Sequence, residues 1–259
     1  MVATERKEQI AGLEVAWREA PSRTTAPVLY LHGVPTDGDD WLPFLERTGG
    51  YAPDLPGFGR SGKPPDFDYS IGGYARFLGE YVEALGLDRL SLVVHDWGAV
   101  GLALAQERPE RIDRLVVINA VPLLPGYRWH RIARAWRTPL VGELAMGFTF
   151  EWGLRRGGVP DAGRVYQRFD HGTQRAILKL YRSAPPARLA AAGERLGEVR
   201  GPALVLWGEP EPFIPTKFAH AYAERLGGDA RVEVVDCAGH WPWVGRPDVV
   251  DTVARFLAT

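Results

Sequence analysis

Four short apolar runs, Val28-Leu29-Tyr30-Leu31, Leu92-Val93-Val94, Leu115-Val116-Val117-Ile118 and Leu204-Val205-Leu206, constrain the fold more than any other feature of the chain. None has a polar face. A strand built from such a run must be covered on both sides, which is the situation of a parallel sheet between helical layers. The intervening segments carry the helical period instead. From Ser70, a good N-cap, Ile71, Tyr74, Phe77, Leu78, Tyr81 and Leu85 recur at helical spacing until Gly86. Residues 99–106 read as a second helix closed before Pro109, and Pro247 opens a last one running to about residue 257. Leu13, Val15 and Trp17 alternate with polar neighbours as a half-buried antiparallel strand does, and Val232-Glu233-Val234-Val235 reads as a further strand. The expected fold class is therefore α/β, with a mostly parallel sheet flanked by helices.

From about residue 122 to 199 this rhythm stops, and the helical stretches become irregular and rich in Arg and Trp. Residues 122–198 hold 13 Lys plus Arg against 6 Asp plus Glu, whereas the remainder holds 18 against 26. Opposite charges of this kind help an insert sit over a sheet; a solvated arginine face is the plainer account. A length of 259 residues suits one core with an insertion. The formal charge of -1 gives no global attraction for nucleic acid or anionic membrane, so neither is an expected partner. With no long apolar stretch and a polar start, the expected location is the cytoplasm. The single cysteine, Cys237, excludes an internal disulfide and a multi-cysteine metal site.

Chemistry concentrates where the apolar runs end. In Val94-His95-Asp96-Trp97-Gly98 a buried strand meets a helix, the context of a nucleophile elbow, and its exposed position holds Asp96 rather than Ser or Cys. A carboxylate is already charged and needs no base, so it suits displacement at saturated carbon and yields an alkyl ester. An Asp in this place also caps helices. After residues 29–31 comes His32-Gly33-Val34-Pro35-Thr36, whose Val34 N–H can pair with that of Trp97 as an oxyanion hole. Glu211 follows the run at 203–207, and His240 follows the strand at 232–235. The order nucleophile, acid, histidine is that of an α/β-hydrolase triad, with His240 as the base.

These residues resemble the epoxide hydrolase and haloalkane dehalogenase branch of the α/β-hydrolase superfamily. The resemblance rests on the His-Gly-x-Pro loop at 32–35, the motif Asp54-Leu55-Pro56-Gly57-Phe58-Gly59-Arg60-Ser61, the elbow at 95–98 and the histidine loop at 239–240. It implies a core of 1–121 and 199–259 with a helical cap at 122–198, inserted after the sixth strand. Many relatives carry Asp where this chain has Glu211, and no carboxylate lies near Asn119, the other position used in the family; Glu209 is the second candidate acid.

Both activities share attack by Asp96 and ester hydrolysis through His240, and they differ at the leaving group. An alkoxide requires a proton donor, which the resemblance places at Tyr181; Tyr127 and Tyr166 are candidates for a second phenol. A halide needs only N–H donors, a role open to Trp97 and to cap tryptophans among Trp129, Trp136 and Trp152, though Val34 occupies the place of a halide-binding Asn. Trp97 instead of Arg beside the nucleophile argues against haloacids. The expected activity is opening of an epoxide to a diol, with haloalkane dehalogenation as the alternative and a non-catalytic binding protein as the third reading. His32, Trp97, Tyr127, Trp129 and Trp241 are expected to contact a small apolar or aromatic substrate. No metal or organic cofactor is implied, and the chain is expected to be a monomer or homodimer.

Overall fold

The computed structural model describes residues 3–259. Its strands are β1 (Thr4–Ile10), β2 (Leu13–Ala20), β3 (Val28–Leu31), β4 (Gly50–Pro53), β5 (Leu90–His95), β6 (Ile112–Ile118), β7 (Ala203–Gly208) and β8 (Ala230–Val235). They form one sheet in the order β1-β2-β4-β3-β5-β6-β7-β8. The pairs β1/β2 and β2/β4 are antiparallel and every other pair is parallel.

The helices are α1 (Leu42–Thr48), α2 (Ile71–Ala84), α3 (Gly101–Glu107), α4 (Arg131–Arg137), α5 (Val141–Gly147), α6 (Glu151–Arg156), α7 (Ala162–Gln167), α8 (His171–Ser183), α9 (Pro186–Ala192), α10 (Lys217–Arg225) and α11 (Pro247–Ala258). The Ser70 hydroxyl accepts the Gly73 N–H at 3.1 Å and so caps α2.

Strand side chains alternate between faces, so an all-apolar strand feeds two cores at once. Leu29, Leu31, Leu92, Val94, Val117 and Val205 enter the larger core, beside Tyr74 and Leu78 of α2 and Tyr222 of α10. Their neighbours Val28, Tyr30, Val93, Val116, Leu204 and Leu206 enter the other, beside Phe44 of α1 and Val250 and Val253 of α11. Every one of these strand residues is fully buried.

Two strands escape the apolar pattern. β1 is exposed except at Ile10 and is mostly charged, an edge strand whose ladder partner among the described residues is β2. β4 has four residues, among them Gly50 and Pro53. The expected helix at 99–106 begins as a 3-10 turn over Asp96–Val100 and becomes α3 only at Gly101.

Between β6 and β7 lie α4 to α9 and no strand. This insert is tied down by charge. Arg164 Nη1 meets Asp37 at 2.6 Å and Asp39 at 3.0 Å, and Arg168 Nη1 meets the same two acids at 2.6 and 3.1 Å. Lys63 reaches Asp170 at 2.8 Å. The excess of cations in the insert and of anions elsewhere therefore meet at this contact, beside the loop that follows β3.

Candidate active site

β5 ends at His95, and the next residue, Asp96, turns the chain with φ of +46°. For a non-glycine residue this left-handed conformation is strained, and it persists only where its surroundings hold it. Here Val121, just past β6, donates its N–H to the Asp96 carbonyl at 3.0 Å. The turn is tight: a Cβ at Gly98 would lie 2.1 Å from the Leu31 carbonyl oxygen, and one at Gly33 would lie 2.5 Å from Asp96 Cβ. Glycine is required at both positions for the elbow and the loop after β3 to approach.

That approach sets the carboxylate. Val34 N–H donates to Asp96 Oδ2 at 2.9 Å, and the Trp97 N–H also serves the group. Oδ1 is left for other work, 3.8 Å from His240 Nε2. Burial raises the Asp96 pKa above the ordinary carboxylate value, although His240 and the two N–H donors pull against it.

Four donors converge on Glu211. His240 Nδ1 lies 2.7 Å from Oε2, which also accepts from Asn119 Nδ2, while Oε1 accepts the Phe213 and Ile214 N–H groups at 2.7 and 3.2 Å. Glu209 accepts from the Thr216 hydroxyl instead, so Glu211 is the acid brought to the histidine. Burial disfavours a charged His240 ring, but the carboxylates of Glu211 and Asp96 outweigh it and the net shift is upward. A histidine oriented by one carboxylate, and standing off from a second that rests on two N–H donors, can activate water against an ester on that second carboxylate.

The profile of the alpha/beta hydrolase family matches residues 28–253. The chain belongs to that family. Haloalkane dehalogenase 1 of Mycobacterium bovis is 35% identical over 214 residues, covering 73% of this hydrolase and 69% of the relative. Haloalkane dehalogenase of Bradyrhizobium diazoefficiens is 29% identical over 259 residues, covering 85% and 83%. Among solved structures, the haloalkane dehalogenase DbeA from Bradyrhizobium elkani superposes with a TM-score of 0.84 at 25% identity, covering 99% of this hydrolase and 98% of that chain. An epoxide hydrolase, CorEH, superposes at 0.82 over 99% of both chains with 21% identity, a likeness of fold. This enzyme is thus a hydrolase of the dehalogenase and epoxide hydrolase branch.

Over Asp96 and His240 the hydrolase encloses a cavity of about 310 Å³, large enough for a small organic substrate. Tyr127, Trp129, Tyr181, Phe213 and Trp241 wall it. His32 and the Trp97 ring, expected beside substrate, lie outside this wall. His32 is fully buried, and its Nε2 accepts the Leu55 N–H at 2.9 Å, which leaves Nδ1 to donate to the Gly33 carbonyl at 2.7 Å. Both nitrogens are spent on holding the loop after β3 against the turn at 54–61. In that turn Asp54 pairs with Arg60 at 2.8 Å and accepts the Gly38 N–H at 2.9 Å, which explains the motif as a brace. Trp97 is covered by Tyr181, ring centroids 5.0 Å apart at 72°. Tyr166 is partly exposed and is not part of the wall.

Sequence reasoning missed four residues in this hydrolase. Asn119, with φ of +37°, accepts the Gly208 N–H at 2.8 Å and donates to Glu211, so it orients the acid from the neighbouring strand end. His95, one step before Asp96, bonds the His240 carbonyl at 2.8 Å through Nε2; burial and the His240 charge keep its ring well below the usual histidine value. His130, in the cavity wall, accepts the Ala133 N–H through Nδ1 at 3.3 Å. Burial, then the His240 charge, lowers it to about 4, so its ring is neutral at pH 7. Asp40 is buried with no hydrogen bond to either oxygen, 4.0 Å from Arg164 Nη2. Its burial raises it to about 7, and its charge bears on His240. Of the four only His95 lies within a motif, the elbow at 95–98, and that motif gives it no role.

Proposed function

We propose that this hydrolase opens an epoxide to a diol. The observation that carries the reading is the balance of donors around the cavity. The Trp129 indole N–H is committed to the Ala184 carbonyl at 3.0 Å; the Trp97 indole N–H is buried beside Tyr181 without a hydrogen-bond partner, and Trp97 lies outside the cavity wall. Two phenols face the cavity instead. Tyr181 is near enough to Asp96 for the carboxylate to act on its ionisation, and the Trp97 indole acts on the same hydroxyl in the opposite sense. Tyr127 is similarly subject to Asp96 and makes only a long hydrogen bond, 3.4 Å, to the Phe213 carbonyl.

In this scheme Asp96 Oδ1 attacks an epoxide carbon as Tyr181 gives its proton to the ring oxygen. A carbon–oxygen bond forms to the enzyme and the strained one breaks, leaving a hydroxyalkyl ester. His240, oriented by Glu211, takes a proton from water that attacks Asp96 Cγ. Oδ2 carries the developing charge against the Val34 and Trp97 N–H groups until the Cγ–Oδ1 bond breaks; the diol departs with Oδ1 and the proton held by His240, and Asp96 keeps the oxygen of water. Tyr181 regains its proton from the Asp96 carboxyl, which the added water leaves protonated, by way of solvent.

Dehalogenation is the second reading, favoured by the activity named for the relatives at 35% and 29% identity. A parallel assay of styrene oxide and bromobutane separates the two. We expect diol without bromide; bromide release faster than diol formation overturns the epoxide reading, and formation of neither favours a binding protein.

A further inference from the structure

Of ten large apolar side chains exposed among the described residues, eight belong to the insert between β6 and β7. Leu140, Leu144, Phe148 and Trp152 are 78%, 63%, 73% and 68% accessible. They cluster on α5, its flanks and the start of α6, and Ile132 of α4 extends them. Ile132, Phe148 and Trp152 also line the catalytic cavity, so its mouth opens within this apolar surface. A patch of this kind marks a binding surface.

The charge around it is of one sign. Arg128, Arg131, Arg134 and Arg156 are exposed and take part in no ion pair among the described residues. The two acids of this stretch, Glu143 and Glu151, are already paired, with Arg182 at 2.7 Å and Arg155 at 2.6 Å. A whole-chain charge of -1 therefore conceals a cationic, aromatic face.

We infer that this face docks on an anionic lipid surface. Aromatic and leucine side chains flanked by unpaired arginines are what an interfacial segment presents to a bilayer, with the apolar groups entering the acyl boundary and the cations meeting headgroups. No helix among the described residues is long and apolar enough to cross a membrane, so the contact is peripheral. A second copy fits less well. An isologous pair would press the same four arginines against themselves, with no free acid in the stretch to receive them. Docking turns the cavity mouth toward the lipid, so the enzyme takes apolar substrates dissolved there; this delivery step, unlike the docking, rests on the hydrolase mechanism proposed above.

The test is co-sedimentation with vesicles of phosphatidylcholine, with and without phosphatidylglycerol. The expected result is binding that strengthens with phosphatidylglycerol and weakens with salt. Leu140 and Leu144 lie outside the cavity wall, so Leu140→Ser with Leu144→Ser should lower vesicle affinity about tenfold or more while leaving hydrolysis of a water-soluble epoxide unchanged. Arg131→Glu with Arg134→Glu should erase the preference for phosphatidylglycerol. Failure of the wild-type chain to bind phosphatidylglycerol vesicles at low salt overturns the inference. So does unaltered vesicle binding by the leucine variant, or a concentration-dependent dimer in ultracentrifugation that the leucine substitutions dissolve. Vesicle binding without hydrolysis of any epoxide would sustain the docking and count against the catalytic reading alone.

Discussion

His240 Nε2 stands 3.8 Å from Asp96 Oδ1, beyond hydrogen-bond reach and within reach of a bridging water. In the proposed reaction, attack by Asp96 and activation of water by His240 are two steps that substitution can separate. Asp96→Asn should cut turnover on the order of 10⁴-fold or more. His240→Gln should allow ester formation and block its breakdown, so the intact protein gains the mass of substrate. No mass gain at saturating substrate would dismiss the two-step scheme.

Tyr181 distinguishes the two leaving groups. Tyr181→Phe should slow epoxide opening by about 10²-fold, the usual worth of a positioned proton donor, and leave any halide release intact. Equal diol rates before and after the change would transfer the donor role elsewhere, with Tyr127→Phe as the next variant to measure.

The pKa of His240 should change during the cycle. Burial lowers it, while Glu211 and Asp96 hold it above the usual histidine value in the free enzyme. Esterification removes the Asp96 charge, so the ring should lose protons more readily in the intermediate. Ester breakdown should then rise with pH through a midpoint below the His240 pKa of the free protein. Single-turnover pH profiles set against a titration of the imidazole followed by NMR would check this, and a midpoint at or above the free value would contradict it.

Asn119→Ala should expose how far Glu211 depends on its neighbour. It removes one donor to the acid and leaves the buried Gly208 N–H without its acceptor, at a cost of about 1–3 kcal/mol in stability. Ester breakdown should slow more than ester formation, because only the former needs His240 in register. Equal slowing of both steps would assign Asn119 a purely structural part.

Asp40 makes the protein less stable as the pH climbs. Its carboxyl is raised by burial from 3.8 to about 7. Between those values the unfolded chain has released this proton and the folded one retains it, so stability falls with rising pH and levels off above the folded value. About three pK units correspond to roughly 4 kcal/mol. Asp40→Asn should gain on the wild type in denaturant unfolding as pH rises from about 4 to about 7. An advantage independent of pH would mean that the carboxyl ionises freely.

That Asp96, Glu211 and His240 come together is legible in the sequence because each follows a readable strand, and chain order then restricts the roles they can be proposed for. Tyr181 was picked out by resemblance, and its place against Trp97 needed the structure. Asn119 offers a sequence reading only its lack of charge; its place beside Glu211 depends on a positive φ and on the neighbouring strand end, neither of which one-dimensional spacing encodes. His32 misled because a histidine beside an oxyanion loop invites a substrate contact, while both its nitrogens serve backbone partners. The charge imbalance of residues 122–198 was countable, but which arginines clasp Asp37 and Asp39 and which stand free depends on the packing of α4 to α7.

The border strand β1 has a consequence for handling the protein. Glu5, Arg6, Lys7 and Glu8 lie on a row whose backbone groups are unpaired on the outer side, and their opposed, exposed charges discourage a second such row from zipping alongside. Replacing Arg6 and Glu8 with valine would leave catalysis untouched and create an adhesive rim, so loss of enzyme to fibrous precipitate at high concentration should be the first sign of the change.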